Sequence, residues 1–228
     1  MPEVLVTSRA FEEYRAFFDL TDDDLRGTVL DCGGGASGFT AVAAAAGTRA
    51  TAIDPMYADL DAVRAAAADA SAGADAIVDR HDDRFVWDWY GTRARRSALR
   101  AAALDAFLAD VGEHPDRYVA GALPLLPCSD AAFDLALCSH LLFTWSDVLD
   151  EAWHEAALRE LARTAREVRV FPLVVQGTGE PVAFLPGLLD RLRGDGYLAE
   201  VRRVPYRFQR RGDAMLVLTG ARRIHDLE

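Results

Sequence analysis

The sequence predicts an α/β protein built on one mostly parallel, seven-stranded sheet. Three observations carry that expectation. Short apolar runs alternate with alanine-rich helical stretches, a glycine run separates the first strand from its helix, and two closing strands are joined by a short polar turn. In chain order, residues 8–19 place Phe11, Tyr14, Phe17 and Phe18 at helical spacing, so an amphipathic helix opens the chain. Asp22 to Asp24 mark a break or a second helix start. A buried strand is expected over 28–31 and a helix over 37–46, closed by Gly47. The second strand spans 49–54, where Pro55 cannot continue the ladder, and a helix follows over 56–70. The third strand, 117–120, comes about fifty residues later, far more than a crossover needs. The stretch 71–116 is therefore read as an insertion carrying Phe85, Trp87, Trp89 and Tyr90 and a helix over 92–111. Strands over 133–139 and 168–175, helices over 150–166 and 181–193, and antiparallel strands over 197–204 and 214–219 complete the pattern. The chain reads as a single domain, 1–228, with a helical extension at 1–24 and an inserted lid at 71–116.

Composition narrows the function. The 228 residues carry 25 basic and 36 acidic side chains, a net charge of −11. That balance weighs against a nucleic-acid partner, because phosphate binding needs a basic stripe. The local cluster Arg202, Arg203, Arg207, Arg210 and Arg211 reads as a solvated strand and turn, with steering of an anionic substrate as the alternative. No uncharged apolar run approaches the ~20 residues of a membrane span, and residues 1–20 lack a signal-peptide layout. Three cysteines, Cys32, Cys128 and Cys138, without metal-type spacing suit a reducing compartment. A cytoplasmic location without membrane contact is expected; the oligomeric state is open.

The segment richest in chemistry is Asp31-Cys32-Gly33-Gly34-Gly35-Ala36-Ser37-Gly38, between the first strand and its helix. Glycines there permit a sharp turn and close approach of a ligand, and the following helix aims N–H groups at it. Gly33, Gly35 and Gly38 satisfy G-x-G-x-x-G, and Asp54 lies near the offset of a ribose-binding acid, so two cofactors are open. Asp31 separates them. A carboxylate before the turn suits an amino or sulfonium centre and repels a pyrophosphate.

With these residues the chain resembles the class I S-adenosylmethionine (SAM)-dependent methyltransferases. The likeness covers residues 25–218 and includes the segment from Leu126 to Leu137 and the antiparallel finish. It implies a Rossmann-like fold, SAM as cofactor and methyl transfer to a small-molecule acceptor. It also implies that Asp31, Gly33, Gly34 and Gly35 hold the methionine part, Asp54 the ribose, and Pro55 and Met56 an adenine face. Many members carry an acid after the third strand; here Ala120-Gly121-Ala122-Leu123 has none, leaving Ala122 and Leu123 to border the ring by backbone. Met56 has ordinary helix core as its alternative role.

Ser139 and His140 end the fourth strand, where ligands bind in open α/β sheets. His140 is the candidate general base, with loop fixation as the alternative. Trp87, Trp89 and Tyr90 could wall an acceptor pocket or pack the inserted helix. Trp145 and Trp153 read as core. Asp147, Asp150, Glu151 and His154 have spacing that could hold a metal, but acids at a helix start are favoured by its dipole alone, and no metal is expected. The rival functions are an NAD(P)-dependent oxidoreductase and a catalytically inactive cofactor-binding partner protein.

Overall fold

A computed structural model describes residues 8–65, 85–176 and 178–220. The sheet contains β1 (Thr28–Cys32), β2 (Arg49–Asp54), β3 (Tyr118–Ala120), β4 (Phe133–Ser139), β5 (Ala165–Phe171), β6 (Leu198–Arg203) and β7 (Ala214–Thr219). Their order is β3-β2-β1-β4-β5-β7-β6. All neighbours from β3 to β5 are parallel, and β7 runs antiparallel to both β5 and β6. This is the Rossmann-like, seven-stranded architecture the sequence predicts.

The helices are α1 (Phe11–Phe17), α2 (Phe39–Ala45), α3 (described over 60–65), α4 (Arg93–Glu113), α5 (Glu151–Thr164) and α6 (Leu185–Gly194). Strand side chains alternate between two cores, as a period of two requires. Leu30, Ala136, Val168 and Leu216 meet Leu158 and Leu161 of α5 and Leu188 and Leu192 of α6. Val29, Leu135, Leu137 and Val217 face Tyr14 and Phe17 of α1 and Phe39 of α2. A third cluster packs Leu104, Phe107 and Val111 of α4 on Ala52, Tyr57 and Tyr118. Within α4 the buried set Arg96, Arg100, Ala103, Leu104, Phe107 and Val111 keeps helical spacing, and Thr92 Oγ1 caps the helix by accepting the Arg95 N–H at 3.1 Å.

Several boundaries differ from expectation. Pro55–Ala58 forms a 3₁₀ turn, and α3 starts only at 60, because Asp54 caps the turn by accepting the Met56 N–H. Strand β5 lies at Ala165–Phe171 rather than 168–175, since Pro172 has no N–H to extend the ladder. Helix α6 begins at Leu185 with Pro186 in its first turn, four residues after the expected start. The aromatic stretch 85–90 docks on the β6–β7 connection: Phe85 stacks on Phe208 at 4.5 Å, and Trp89 lies 5.1 Å from Tyr206. Residues 1–7, 66–70 and 71–84, including His81 to Arg84 of the expected lid, lie outside the described residues. No helix among the described residues is long and apolar enough to cross a membrane.

Candidate functional site

Strand order reverses between β1 and β4, so the crevice outside their carboxyl ends is where an open α/β sheet binds ligands. Register puts Asp31 beside Leu137 and Cys32 beside Cys138, which brings the glycine loop and the Ser139–His140 step to the same edge. Gly33 at φ 75° and Gly35 at φ 55° take left-handed conformations that make the turn. A Cβ on Gly34 would lie 2.8 Å from the Tyr57 hydroxyl and 3.2 Å from Asp31 Oδ2, so the loop hugs both groups.

Asp31 is buried, with Oδ1 accepting the Tyr14 hydroxyl at 2.9 Å. Its Oδ2 is buried without a hydrogen-bond partner among the described residues. Desolvation pushes the carboxyl up to about 7, against the Tyr14 hydrogen bond. Half-buried Asp54 takes one backbone donor on each oxygen, Met56 N–H at 3.0 Å and Gly35 N–H at 3.1 Å. Burial raises its carboxyl as well. Each Asp54 oxygen keeps a second lone pair, which is the acceptor capacity a vicinal diol needs.

One expectation about the loop is corrected. The start of α2 does not present its first N–H groups to a ligand. Gly38 N–H donates to the Arg9 carbonyl at 2.9 Å, and Phe39 N–H to Ser37 Oγ at 3.1 Å. The opening segment provides these contacts: α1 lies across the loop, with Tyr14 stacked on Phe39 at 4.5 Å.

His140 sits at the end of β4 with φ 54° and its N–H on the Phe171 carbonyl at 2.7 Å. Its Nδ1 is 2.8 Å from buried Ser139 Oγ, and its ring lies 5.1 Å from Phe17 and 5.5 Å from Phe171. Burial, then the positive charges of Arg9 and Arg100, hold the imidazole well below its ordinary value, so it is neutral near pH 7. Met56 packs partly buried beside Tyr57; Leu123 is buried while Ala122 is exposed. Tyr90 is buried and gives its hydroxyl to Glu13, whereas Trp87 and Trp89 are half-buried against Phe208 and Tyr206.

The acids near α5 are structural. Asp150 Oδ1 caps the helix through the Trp153 N–H at 2.8 Å. Fully buried His154 bridges the Asp150 and Leu142 carbonyls at 2.7 and 2.9 Å, tying α5 to the loop after β4. In the closing arginine cluster, Arg202 pairs with Glu200, Arg203 with Asp213, Arg207 with Asp88 and Arg211 with Glu180.

Sequence reasoning missed Arg9, Glu13, Tyr14, Arg100 and Tyr206. The signal was present for two of them. Glu13 falls on the buried stripe Glu13, Tyr14, Ala16 and Phe17 of α1, and Arg100 on that of α4. A charge on an apolar stripe asks for a buried partner, and these two are each other's.

No protein-family model matches the chain. In sequence it is similar to an uncharacterized protein of Methanocaldococcus jannaschii, 24% identical over 235 residues that cover 96% of this chain and 97% of that one. Among solved structures it is similar to magnesium protoporphyrin IX methyltransferase from Synechocystis PCC 6803, crystallised with bound SAM. There the TM-score is 0.50 at 11% identity, covering 92% of this chain and 78% of that one. It is also similar to the pyocyanin biosynthetic protein PhzM, with TM-score 0.50 and 17% identity over 93% of this chain. It spans 54% of that chain, about half its length. At these identities the likeness is one of fold.

Proposed function

We propose that the chain is a SAM-dependent methyltransferase acting on a small-molecule acceptor. The observation that carries this reading is the buried, unpartnered Asp31 Oδ2 at the glycine turn. A ligand ammonium would supply its missing donor and compensate its desolvated charge. The methionine end would thus rest on Asp31 and lie in close contact with the Gly33-Gly34-Gly35 turn, whose N–H groups are held by the Ile53 carbonyl and Asp54. The ribose hydroxyls would rest on the free lone pairs of Asp54. Pro55, Met56, Ala122 and Leu123 would border the adenine. When bound, the cofactor supplies an electrophilic methyl group on a cationic sulfur whose departure leaves a neutral thioether.

Ser139 and His140 stand beneath the reacting centre in this reading. In the tautomer whose Nδ1–H donates to Ser139 Oγ, His140 Nε2 would be the position that takes the acceptor's proton, and the neutral ring is the form that can do so. Holding the acceptor in line supplies much of the acceleration. Half-buried Trp87 and Trp89 would act as an outer wall of the acceptor side, with buried Tyr90 packed behind them. A nicotinamide dinucleotide fits less well. The Gly35 N–H, which would face its pyrophosphate, is already donated to Asp54, and Asp31 would repel the phosphates.

Calorimetry with S-adenosylhomocysteine tests this. It is expected to bind while NADH does not; the reverse result overturns the reading. Because Asp31 holds a proton up to about pH 7, affinity is expected to rise about tenfold per pH unit from 5.5 toward 7 and then level off. A flat profile would mean that no ammonium meets this carboxylate. Asp54→Ala is expected to weaken binding by about 1.5–3 kcal/mol, and unchanged affinity would place the ribose elsewhere.

A further inference from the structure

Beside the cradle lies a buried group of charges that the proposed methyl transfer leaves unused. Glu13 is fully buried; its carboxylate meets Arg100 Nη2 at 3.1 Å and accepts the Ala10 N–H at 2.7 Å and the Tyr90 hydroxyl. Arg9 Nη1 stands 3.9 Å from the same carboxylate, beyond hydrogen-bond reach. The Nε atoms of both arginines are buried without a hydrogen-bond partner among the described residues. Among the described residues, two guanidiniums therefore share one carboxylate, a surplus of positive charge in a chain of net charge −11. Elsewhere the same fold does the opposite: buried Arg169 has two acids, Asp24 at 2.7 Å and Glu167 at 2.6 Å. Burying an unpaired cation is costly, so the imbalance asks for an anion.

The group is placed where an acceptor would lie. The Arg9 carbonyl is fastened to the loop through Gly38 N–H and the Ser37 hydroxyl. The Arg9 guanidinium lies 5.8 Å from the Phe17 ring, which in turn lies 5.1 Å from His140. Burial, and after it repulsion from Arg100, brings the Arg9 guanidinium down to about 10, against the pull of Glu13.

We propose that Arg9, backed by Arg100, receives the carboxylate of the methyl acceptor, so that the acceptor is a small carboxylic acid whose nucleophilic atom is presented beside His140. This deepens the methyltransferase reading and rests on it for the reaction, though not for the binding step. A guanidinium fork matches a planar carboxylate, one surplus positive charge matches a monoanion, and Glu13 nearby disfavours a dianion such as phosphate.

The test titrates benzoate, its neutral isostere benzamide, and inorganic phosphate into the wild type and Arg9→Gln. His140 ring resonances are followed by NMR, and S-adenosylhomocysteine affinity is measured in parallel. Benzoate is expected to move the His140 resonances and to bind Arg9→Gln at least about tenfold more weakly, with benzamide and phosphate inert. S-adenosylhomocysteine affinity should be the same in both proteins. Should Arg9→Gln fail to fold, Arg9→Lys makes the same comparison, keeping the charge and losing the fork, with weaker benzoate binding expected. The proposal is overturned if benzoate leaves His140 unmoved, if the foldable variant binds it as the wild type does, or if benzamide or phosphate binds equally well. Failure of S-adenosylhomocysteine to bind the wild type overturns the methyltransferase reading and the acceptor role with it; the benzoate titration reads the anion site separately.

Discussion

Replacing Glu13 with alanine is expected to lower folding stability by about 3–5 kcal/mol, the cost of leaving buried charge without its partner. The carboxylate is fully buried and holds together three distant parts of the chain: Ala10 and Arg9 at the start, Arg100 on α4, and Tyr90 with its own partner Tyr206, 2.9 Å away. Alanine would orphan the Ala10 N–H and the Tyr90 hydroxyl and leave Arg9 and Arg100 facing each other. The positive charges and hydrogen bonds keep Glu13 below the ordinary carboxylate range despite burial. Its contribution is therefore present above the unfolded-state value and fades as pH falls through the folded one. Urea denaturation reads the loss. The double variant Glu13→Leu, Arg100→Met should recover part of it, because a well-packed apolar pair can replace an ion pair. A loss under about 1 kcal/mol in Glu13→Ala would mean that water already solvates the cluster.

Asp31→Asn is expected to act with opposite signs on stability and on binding. Burial raises the Asp31 carboxyl to about 7, so between the ordinary carboxylate value and that point the folded protein holds a proton that the unfolded chain has released. Stability from this group consequently falls as pH rises through that window and is flat above it, a change on the order of 4 kcal/mol at 1.36 kcal/mol per unit. Asparagine keeps an acceptor for the Tyr14 hydroxyl and carries no charge, so the free variant should lose this pH dependence and match or exceed the wild type at pH 8. Its amide would set donors where an ammonium needs an acceptor. Affinity for S-adenosylhomocysteine at pH 8 should then fall by about a hundredfold, which calorimetry reads directly. Full affinity in the variant would show that the orphaned oxygen serves some other ligand.

How far the sequence reaches is clear from particular residues. The glycine turn and the strands on either side were legible because they depend on local rules: φ above zero at Gly33 and Gly35, and short, mostly apolar runs in β1 and β4 interrupted by Asp31 and Asp134. The start of β5 was not, because Ala165, Arg166 and Glu167 carry no apolar strand signal and are brought into the strand by pairing with Phe133 and Leu135 of β4. The roles of Tyr14, Arg9 and Tyr206 were equally hidden. Each depends on a partner far along the chain, such as Tyr14 with Asp31 or Tyr90 with Tyr206, and no periodicity encodes which residues meet. Periodicity also left open whether Trp87 and Trp89 wall a pocket or pack a helix; their neighbours Phe208 and Tyr206 come from the β6–β7 connection.

Strand β7 lies between β5 and β6 although it follows both in the chain. During synthesis on the ribosome, β5 and β6 emerge before the segment that must slide in to join them. Until then the outer backbone groups of β5 stay open, a template for another nascent strand. Chaperone dependence should accordingly concentrate in the interval between translation of residue 171 and residue 219.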